Sequence, residues 1–188
     1  MAGQESTSVA AAGRGALEVV TARLEDPAAA PLLEGLLFEY TSRYGEGAVR
    51  EFDKHPNLLF TAEHGGALLL LVDQGETVAG GALRAYDPAF AAPVAVPGFP
   101  EVPTTEFKRI WTHAEHRRRG LGRRVLDALE RRARDFGYRQ VFLTTGPNQP
   151  EAVALYLAAG YTELPDLGAE QRGHAVHPFV KPLSSARS

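Results

Sequence analysis

Along the chain the spacing of apolar residues changes several times, and each change marks an element. Leu17 to Arg23 alternates enough to predict a first strand. Asp26-Pro27 then opens a helix, with Leu32, Leu33, Leu36, Leu37 and Tyr40 at helical spacing. Gly45 and Gly47 interrupt it, and Ala48 to Lys54 reads as a short second helix. Ala67 to Val72 and Thr77 to Arg84 predict a hairpin, turned by Asp73-Gln74-Gly75-Glu76. Asp87 to Pro103 holds five prolines in seventeen residues, which predicts a long, irregular, lid-like loop. Thr104 to His113 reads as a strand with no purely apolar face, as befits a strand lining a site.

Leu121, Val125, Leu129, Ala133 and Phe136 recur at three- and four-residue intervals and predict a helix that Gly137 stops. Gln140 to Thr145 is a strand. Pro150 opens a last helix, with Ala152, Leu155, Tyr156 and Ala159 on one face and Gly160 at its end. Tyr161 to Leu164 and Ala175 to Leu183 complete the strands. The predicted order is β-α-α-β-β-β-α-β-α-β-β. It forms one domain over residues 15–188, behind a mobile tail of residues 1–14.

Composition narrows the chemistry. With 44% hydrophobic and 23% charged residues in 188, the chain is an ordinary globular one. Its longest strongly apolar run, Ala67 to Val72, is too short for a bilayer, and Met1-Ala2-Gly3-Gln4-Glu5 does not open a secretory leader. A cytoplasmic protein that engages no membrane is expected. The absence of cysteine excludes disulfides, thiolate metal sites and a thiol nucleophile. There is no Gly-x-Ser-x-Gly and no Gly-Lys, so a serine-hydrolase elbow and a phosphate-binding Walker loop are excluded too. The net charge of −3 is polarised: residues 1–103 hold 6 basic and 14 acidic side chains, residues 104–188 hold 14 basic and 9 acidic. Such polarity suits an anion at one face and a cation at another, although a solvated Arg-rich helix would look the same.

The basic half centres on Arg117-Arg118-Arg119-Gly120-Leu121-Gly122-Arg123, between a strand and a helix. Two glycines two apart let a backbone approach a ligand, and a helix N-terminus ringed by arginines suits a pyrophosphate. Val125 stands where a dinucleotide fingerprint needs its third glycine, so a Rossmann site is disfavoured.

These residues resemble the signature of the GNAT superfamily of N-acetyltransferases, Arg/Gln-x-x-Gly-x-Gly/Ala, which Arg117-x-x-Gly120-x-Gly122 matches in full. A second family block fits at Ala152, Leu155-Tyr156, Gly160 and Tyr161, with Gln149 where Asn is usual and Asn148 adjacent. The resemblance spans about residues 15–183. It implies an α/β fold with a central mixed, mostly antiparallel sheet flanked by helices, and a V-shaped splay between strands 4 and 5. It implies acetyl-CoA as co-substrate and no metal. Backbone near Trp111, Thr112 and His113 would hold the pantetheine arm. Arg117, Arg118, Arg119, Gly120, Leu121, Gly122 and Arg123 would take the pyrophosphate. Asn148, Gln149, Ala152, Leu155 and Tyr156 would line the arm's other side.

Tyr156 then becomes the candidate acid for a departing thiolate, against a bland reading as a core aromatic. Glu106 becomes the candidate general base, directly or through water, against a strand Glu paired with Arg109 or Lys108. Trp111 reads as packing. His113 and His116 make a weak metal pair without a third ligand. His174 and His177 face a cleft or cap the last strand. The function implied is direct acetyl transfer, within a ternary complex, to a primary amine of a small molecule. A non-catalytic acyl-CoA sensor and a peptide or protein N-acetyltransferase stand as alternatives, and a homodimer stays open. Nucleic-acid binding through the Arg-rich helix is disfavoured by the net charge of −3. Glu34, Glu39 and Glu46 near the first helix point to a small cationic or zwitterionic acceptor.

Overall fold

The computed structural model describes residues 17–45, 56–88, 99–166 and 169–184. Strands β1 (Glu18–Ala22), β2 (Ala67–Asp73), β3 (Glu76–Ala85), β4 (Thr104–Thr112), β5 (Gln140–Thr145), β6 (Thr162–Glu163) and β7 (His177–Pro182) form one sheet, in the order β1-β2-β3-β4-β5-β7-β6. Only the β4–β5 pair is parallel; the other five are antiparallel. The helices are α1 (Ala30–Tyr44), α2 (Leu121–Asp135), α3 (Pro150–Ala158) and a short α4 (Ala169–Arg172). The short helix expected at 48–54, most of the proline-rich loop and the tail of residues 1–14 lie outside the described residues.

The two faces of the sheet carry two cores. On one, Leu121, Val125, Leu129 and Ala133 of α2 bury against Leu69, Leu71, Leu83 and Phe107. On the other, Leu32 and Leu36 of α1 cover Leu68, Leu70, Ala82 and Trp111. Because β2 is covered on both sides, its apolar run is continuous rather than alternating. Gly80 and Gly81 of β3 let both helices come close: an added Cβ would lie 2.6 Å from Leu32 Cδ1 at the first and 2.9 Å from Val125 Cγ1 at the second. On α2 the buried Glu130 accepts from Lys181 Nζ at 2.7 Å and from the Tyr161 hydroxyl at 3.1 Å, which ties the helix to β7 and the end of α3.

Two irregularities in β4 shape the site. Gly80 stands opposite Trp111 but Ala82 stands opposite Lys108, so Gly81 faces both Arg109 and Ile110. This is a β-bulge, and Arg109 takes it with φ +58. Pairing with β5 runs from Thr104–Gln140 to Phe107–Leu143 and stops there, while β4 continues to Thr112 and β5 to Thr145. Beyond Phe107 the two strands part, which is the expected splay.

Four elements differ from the sequence reading. The last strand starts at His177 rather than Ala175, and β6 keeps two residues of the predicted four. Helix α4 was not expected, since four residues are too few to show a period. The first helix begins as a 3-10 turn, Pro27–Ala29, before α1 proper.

Candidate active site

A cavity of about 540 Å³ opens where β4 and β5 part. Phe107 to Ile110 of β4 and Thr144 to Gln149 of β5 and its following turn form two walls; Ala152 and Tyr156 of α3, Tyr40 and Tyr44 of α1, and His174 to Val176 complete it. Tyr156 is 5% exposed, and its ring packs on Phe179 and Tyr161 with centroids 5.4 and 5.9 Å apart. Burial, and then the neighbouring Tyr40 hydroxyl, push the Tyr156 pKa well up. It therefore keeps its proton across the neutral range.

Gln149, which replaces the usual Asn, spends its carbonyl oxygen on the turn. It accepts from Thr145 Oγ1 at 2.7 Å and from the Gly146 N–H at 3.0 Å. Asn148 instead faces α1: its N–H donates to the Tyr44 hydroxyl at 3.3 Å, and its carbonyl accepts from Arg43 Nη1 at 2.7 Å. Arg43 also pairs with Glu151, so the end of α1 is fastened to the start of α3. Gly146 has no room for a side chain because the Tyr44 hydroxyl fills that space.

The segment from His113 to Arg123 follows β4. The His113 side chain accepts from the Glu115 N–H at 3.3 Å and starts a 3-10 turn that leads to Arg117. Gly120 sits at φ +73 with open space around it, and no side chain caps the first turn of the fifteen-residue α2. Uncapped N–H groups at a helix start, with Arg117, Arg118, Arg119 and Arg123 exposed beside them, fit a bound pyrophosphate. Arg117 pairs with Glu39 of α1, Arg119 with Asp73 at 3.1 Å, and Arg123 with Asp127 at 3.0 Å.

Gly122 has a different task from Gly120. An added Cβ would lie 3.0 Å from Leu155 Cδ2, so this glycine lets α2 approach α3. Gly122→Val, which on the sequence alone would only block the ligand, would also displace Leu155. Gly120→Ala is the cleaner test: a left-handed non-glycine residue costs about 1–2 kcal/mol, to be read from a urea unfolding curve. Its small side chain meets open space in the free protein, so any larger loss of acetyl-CoA affinity in calorimetry reports the ligand itself.

The sequence-predicted residues do not all meet. Tyr156, Asn148, Gln149 and Ala152 line the cavity; Arg117 to Arg123 lie outside its lining, at the start of α2. The Trp111 indole is buried against Gly35 of α1, so its side chain belongs to the core and its main chain to the β4 edge. Thr112 pairs with Ala79, and Leu155 packs toward Gly122. His174 lines the cavity, whereas His177 lies 2.6 Å from Glu163. Glu106 is fully buried, ion-paired with Arg84, and 2.9 Å from Lys108 Nζ; it is not among the lining residues. Lys108, Arg109, Tyr40, Tyr44 and Thr144 line the cavity without having been picked out. Tyr40 and Tyr44, one helical turn apart, were the legible pair among them. Among the described residues no group of three His, Asp or Glu could hold a metal, and no helix is long and apolar enough to cross a membrane.

Comparison with known proteins bears on the fold and the family. Residues 30–161 match the acetyltransferase (GNAT) family. Human N-acetyltransferase 8 is 38% identical over 64 residues, which are 31% of this chain and 28% of that protein's length. An acetyltransferase from Streptococcus agalactiae superposes with a TM-score of 0.64 at 16% identity, over 89% of this chain and 98% of that one. A GNAT family acetyltransferase from Elizabethkingia anophelis, solved with acetyl-CoA bound, gives 0.61 at 14% identity over the same shares, 89% and 98%. A protein from Salmonella typhimurium, solved with its cofactor acetyl-CoA, gives 0.59 at 16% identity over 93% and 98%. At such identities these likenesses concern the fold. The family match covers most of the sequence, from α1 to Tyr161, and on that ground the chain belongs to the acetyltransferase (GNAT) family.

Proposed function

We propose that the chain is an acetyl-CoA-dependent N-acetyltransferase that passes the acetyl group directly to a primary amine of a small molecule, within a ternary complex. The observation that carries this reading is the cavity at the β4–β5 splay, with the buried, proton-bearing Tyr156 in its wall. Arg117 to Arg123 and the uncapped start of α2 would hold the pyrophosphate. The β4 edge at Trp111, Thr112 and His113 would take the arm on one side, with Asn148, Gln149, Ala152 and Leu155 on the other. When bound, acetyl-CoA supplies an acetyl group activated as a thioester.

The chain's own residues supply the protons. The Tyr156 hydroxyl holds the proton that a departing thiolate needs. Glu106, enclosed between Arg84 and Lys108, is not among the cavity's lining residues, so as a proton acceptor it would act at one remove, through water. With no cysteine in the sequence, no thiol can carry the acetyl group between the two substrates.

The test is release of free CoA from acetyl-CoA with a panel of primary amines, with mass detection of the acetylated product. Thiol release that depends on an added amine is expected. Tight acetyl-CoA binding with no amine-dependent release would defeat the enzyme reading in favour of an acyl-CoA sensor.

A further inference from the structure

Taking the proton from an acceptor ammonium needs a base that reaches the cavity, and no carboxylate supplies it. Among the described lining residues there is no Asp or Glu. Glu106 is not one of them, and its carboxylate is held by Arg84 and Lys108. Glu39 of α1 pairs with Arg117, Glu34 is exposed, and neither lines the cavity. The ionisable residues described there are Tyr40, Tyr44, Lys108, Arg109, Tyr156 and His174. Phenol, ammonium and guanidinium groups hold their protons at neutral pH, whereas an imidazole takes one up and gives it back there. The Lys108 and Arg109 head groups are moreover set against Glu106 and the Phe60 ring, and the Tyr44 hydroxyl accepts from the Asn148 N–H. His174 is what remains.

The backbone holds His174 from both sides. Gly173, at φ +75, turns the chain out of α4 with its N–H on the Ala169 carbonyl at 2.9 Å. Two residues beyond His174, the Val176 N–H donates to Asp166 Oδ2 at 2.8 Å, and β7 begins at His177. His174 is exposed and, among the described residues, makes no hydrogen bond or ion pair. The other described histidines differ. His64 meets Thr61 Oγ1 at 3.1 Å, His113 accepts from the Glu115 N–H, His116 lies against Arg119, and His177 lies against Glu163. An imidazole that the fold leaves unused, on a backbone fixed at either side, is available to a ligand in the cavity.

We infer that His174 is the base that takes the proton from the acceptor ammonium. This rests on the N-acetyltransferase reading and names the group that completes its proton transfers. An ammonium N–H bond breaks, its electron pair stays on nitrogen, and the proton passes to an imidazole nitrogen. That pair forms the bond to the acetyl carbon, the carbon–sulfur bond breaks, and the sulfur takes the Tyr156 proton. The nitrogen, now bonded to carbon, gives its second proton to the Tyr156 phenolate and restores the hydroxyl. His174, being exposed, returns the first proton to water. The other ionisable groups on the elements around it are the tyrosines, Lys108 and Arg109 already named, with Asp166 and Glu170 beside α4. Carboxylates titrate at about pH 4 and phenols and ammonium groups at about pH 10, so a transition at about pH 6 to 7 belongs to an imidazole.

The experiment uses the full chain with acetyl-CoA and a panel of phenethylamine, tyramine, isoamylamine and putrescine. Acetyl-CoA binding in calorimetry without amine-dependent thiol release from any of them defeats the acetyltransferase reading, and this inference with it. The fastest of the four is then paired with its β,β-difluoro analogue, in which the fluorines weaken the amine's hold on its proton and leave it largely neutral at mildly alkaline pH. Wild-type kcat should fall as pH drops through about 7 to 6, since a protonated imidazole accepts nothing. His174→Gln should remove that limb and lower kcat for the ordinary amine about 10²- to 10⁴-fold, with acetyl-CoA affinity within about twofold. For the difluoro amine, which brings little proton to remove, the loss should stay below about tenfold. Two amines on one protein share its folded fraction, so a folding defect does not imitate the difference. His177→Gln should leave the limb in place. Equal losses for the two amines would overturn the inference. So would a limb that survives His174→Gln, or one that vanishes in His177→Gln or Glu106→Gln instead.

Discussion

Tyr156→Phe should lower kcat about 10²- to 10⁴-fold, the range of a lost general acid. Acetyl-CoA affinity should stay within about twofold, because an interaction made only as the reaction proceeds leaves ground-state binding in place. The substitution keeps the ring that packs on Phe179 and Tyr161 and removes only the hydroxyl. Burial already holds that hydroxyl in its protonated form, so wild-type kcat should show no alkaline limb from Tyr156 near neutral pH. Steady-state kinetics at saturating acetyl-CoA settle the matter. An unchanged kcat would return Tyr156 to the core; a fall in unfolding midpoint instead would give the hydroxyl a structural partner.

Glu106→Gln should cost about 3–5 kcal/mol of folding stability, the range for breaking a buried ion pair. Arg84, only 2% exposed, would lose its carboxylate and stay charged in the core, with an amide that cannot answer it. Urea unfolding of the variant measures this. Replacing both partners, Arg84→Met with Glu106→Leu, should recover much of the loss, since an apolar pair of similar size leaves no guanidinium buried without its carboxylate, and Lys108, which also loses Glu106, is 23% exposed and keeps contact with water. An unaltered midpoint in the single variant would show that the pair contributes nothing to the fold. The rate per folded molecule then tells whether Glu106 also draws the acceptor's proton: a large fall in kcat beyond the folded fraction means that it does.

The helices and the antiparallel half of the sheet were legible because each rests on a local period. Leu121, Val125, Leu129 and Ala133 announce α2 through spacing alone, and the Asp73–Glu76 turn announces the β2–β3 hairpin. The splay was not legible in that way: nothing in Lys108-Arg109-Ile110 says that β4 leaves β5 there, and its position came through the family resemblance. Arg109 hides the bulge, since a left-handed residue is more often Gly or Asn. The glycine pair was half legible. A glycine marks a need for space or for an unusual backbone, but only the fold shows that Gly122 makes room for Leu155, thirty-three positions away. Glu106 was misleading for a related reason. Its buried partner Arg84 lies twenty-two residues earlier on a neighbouring strand, so the sequence offered Lys108 and Arg109 as the nearer pairings, and the second of these is not the one formed.

The ion pair between Glu39 and Arg117 has a consequence for how two substrates sense each other. Glu39 belongs to the helix whose tyrosines wall the cavity, and Arg117 belongs to the segment suited to a pyrophosphate. An anion bound beside Arg117 competes with Glu39 for one guanidinium, so the energy of that exchange enters the affinity of both ligands. Linkage makes the exchange mutual: the factor by which acetyl-CoA alters acceptor affinity is the factor by which the acceptor alters acetyl-CoA affinity. Arg117 is 47% exposed, which holds this route to at most about 1 kcal/mol, or about fivefold. Strong cooperativity between the two substrates would therefore have to travel by another path, and a weak, salt-sensitive one is what this pair can transmit.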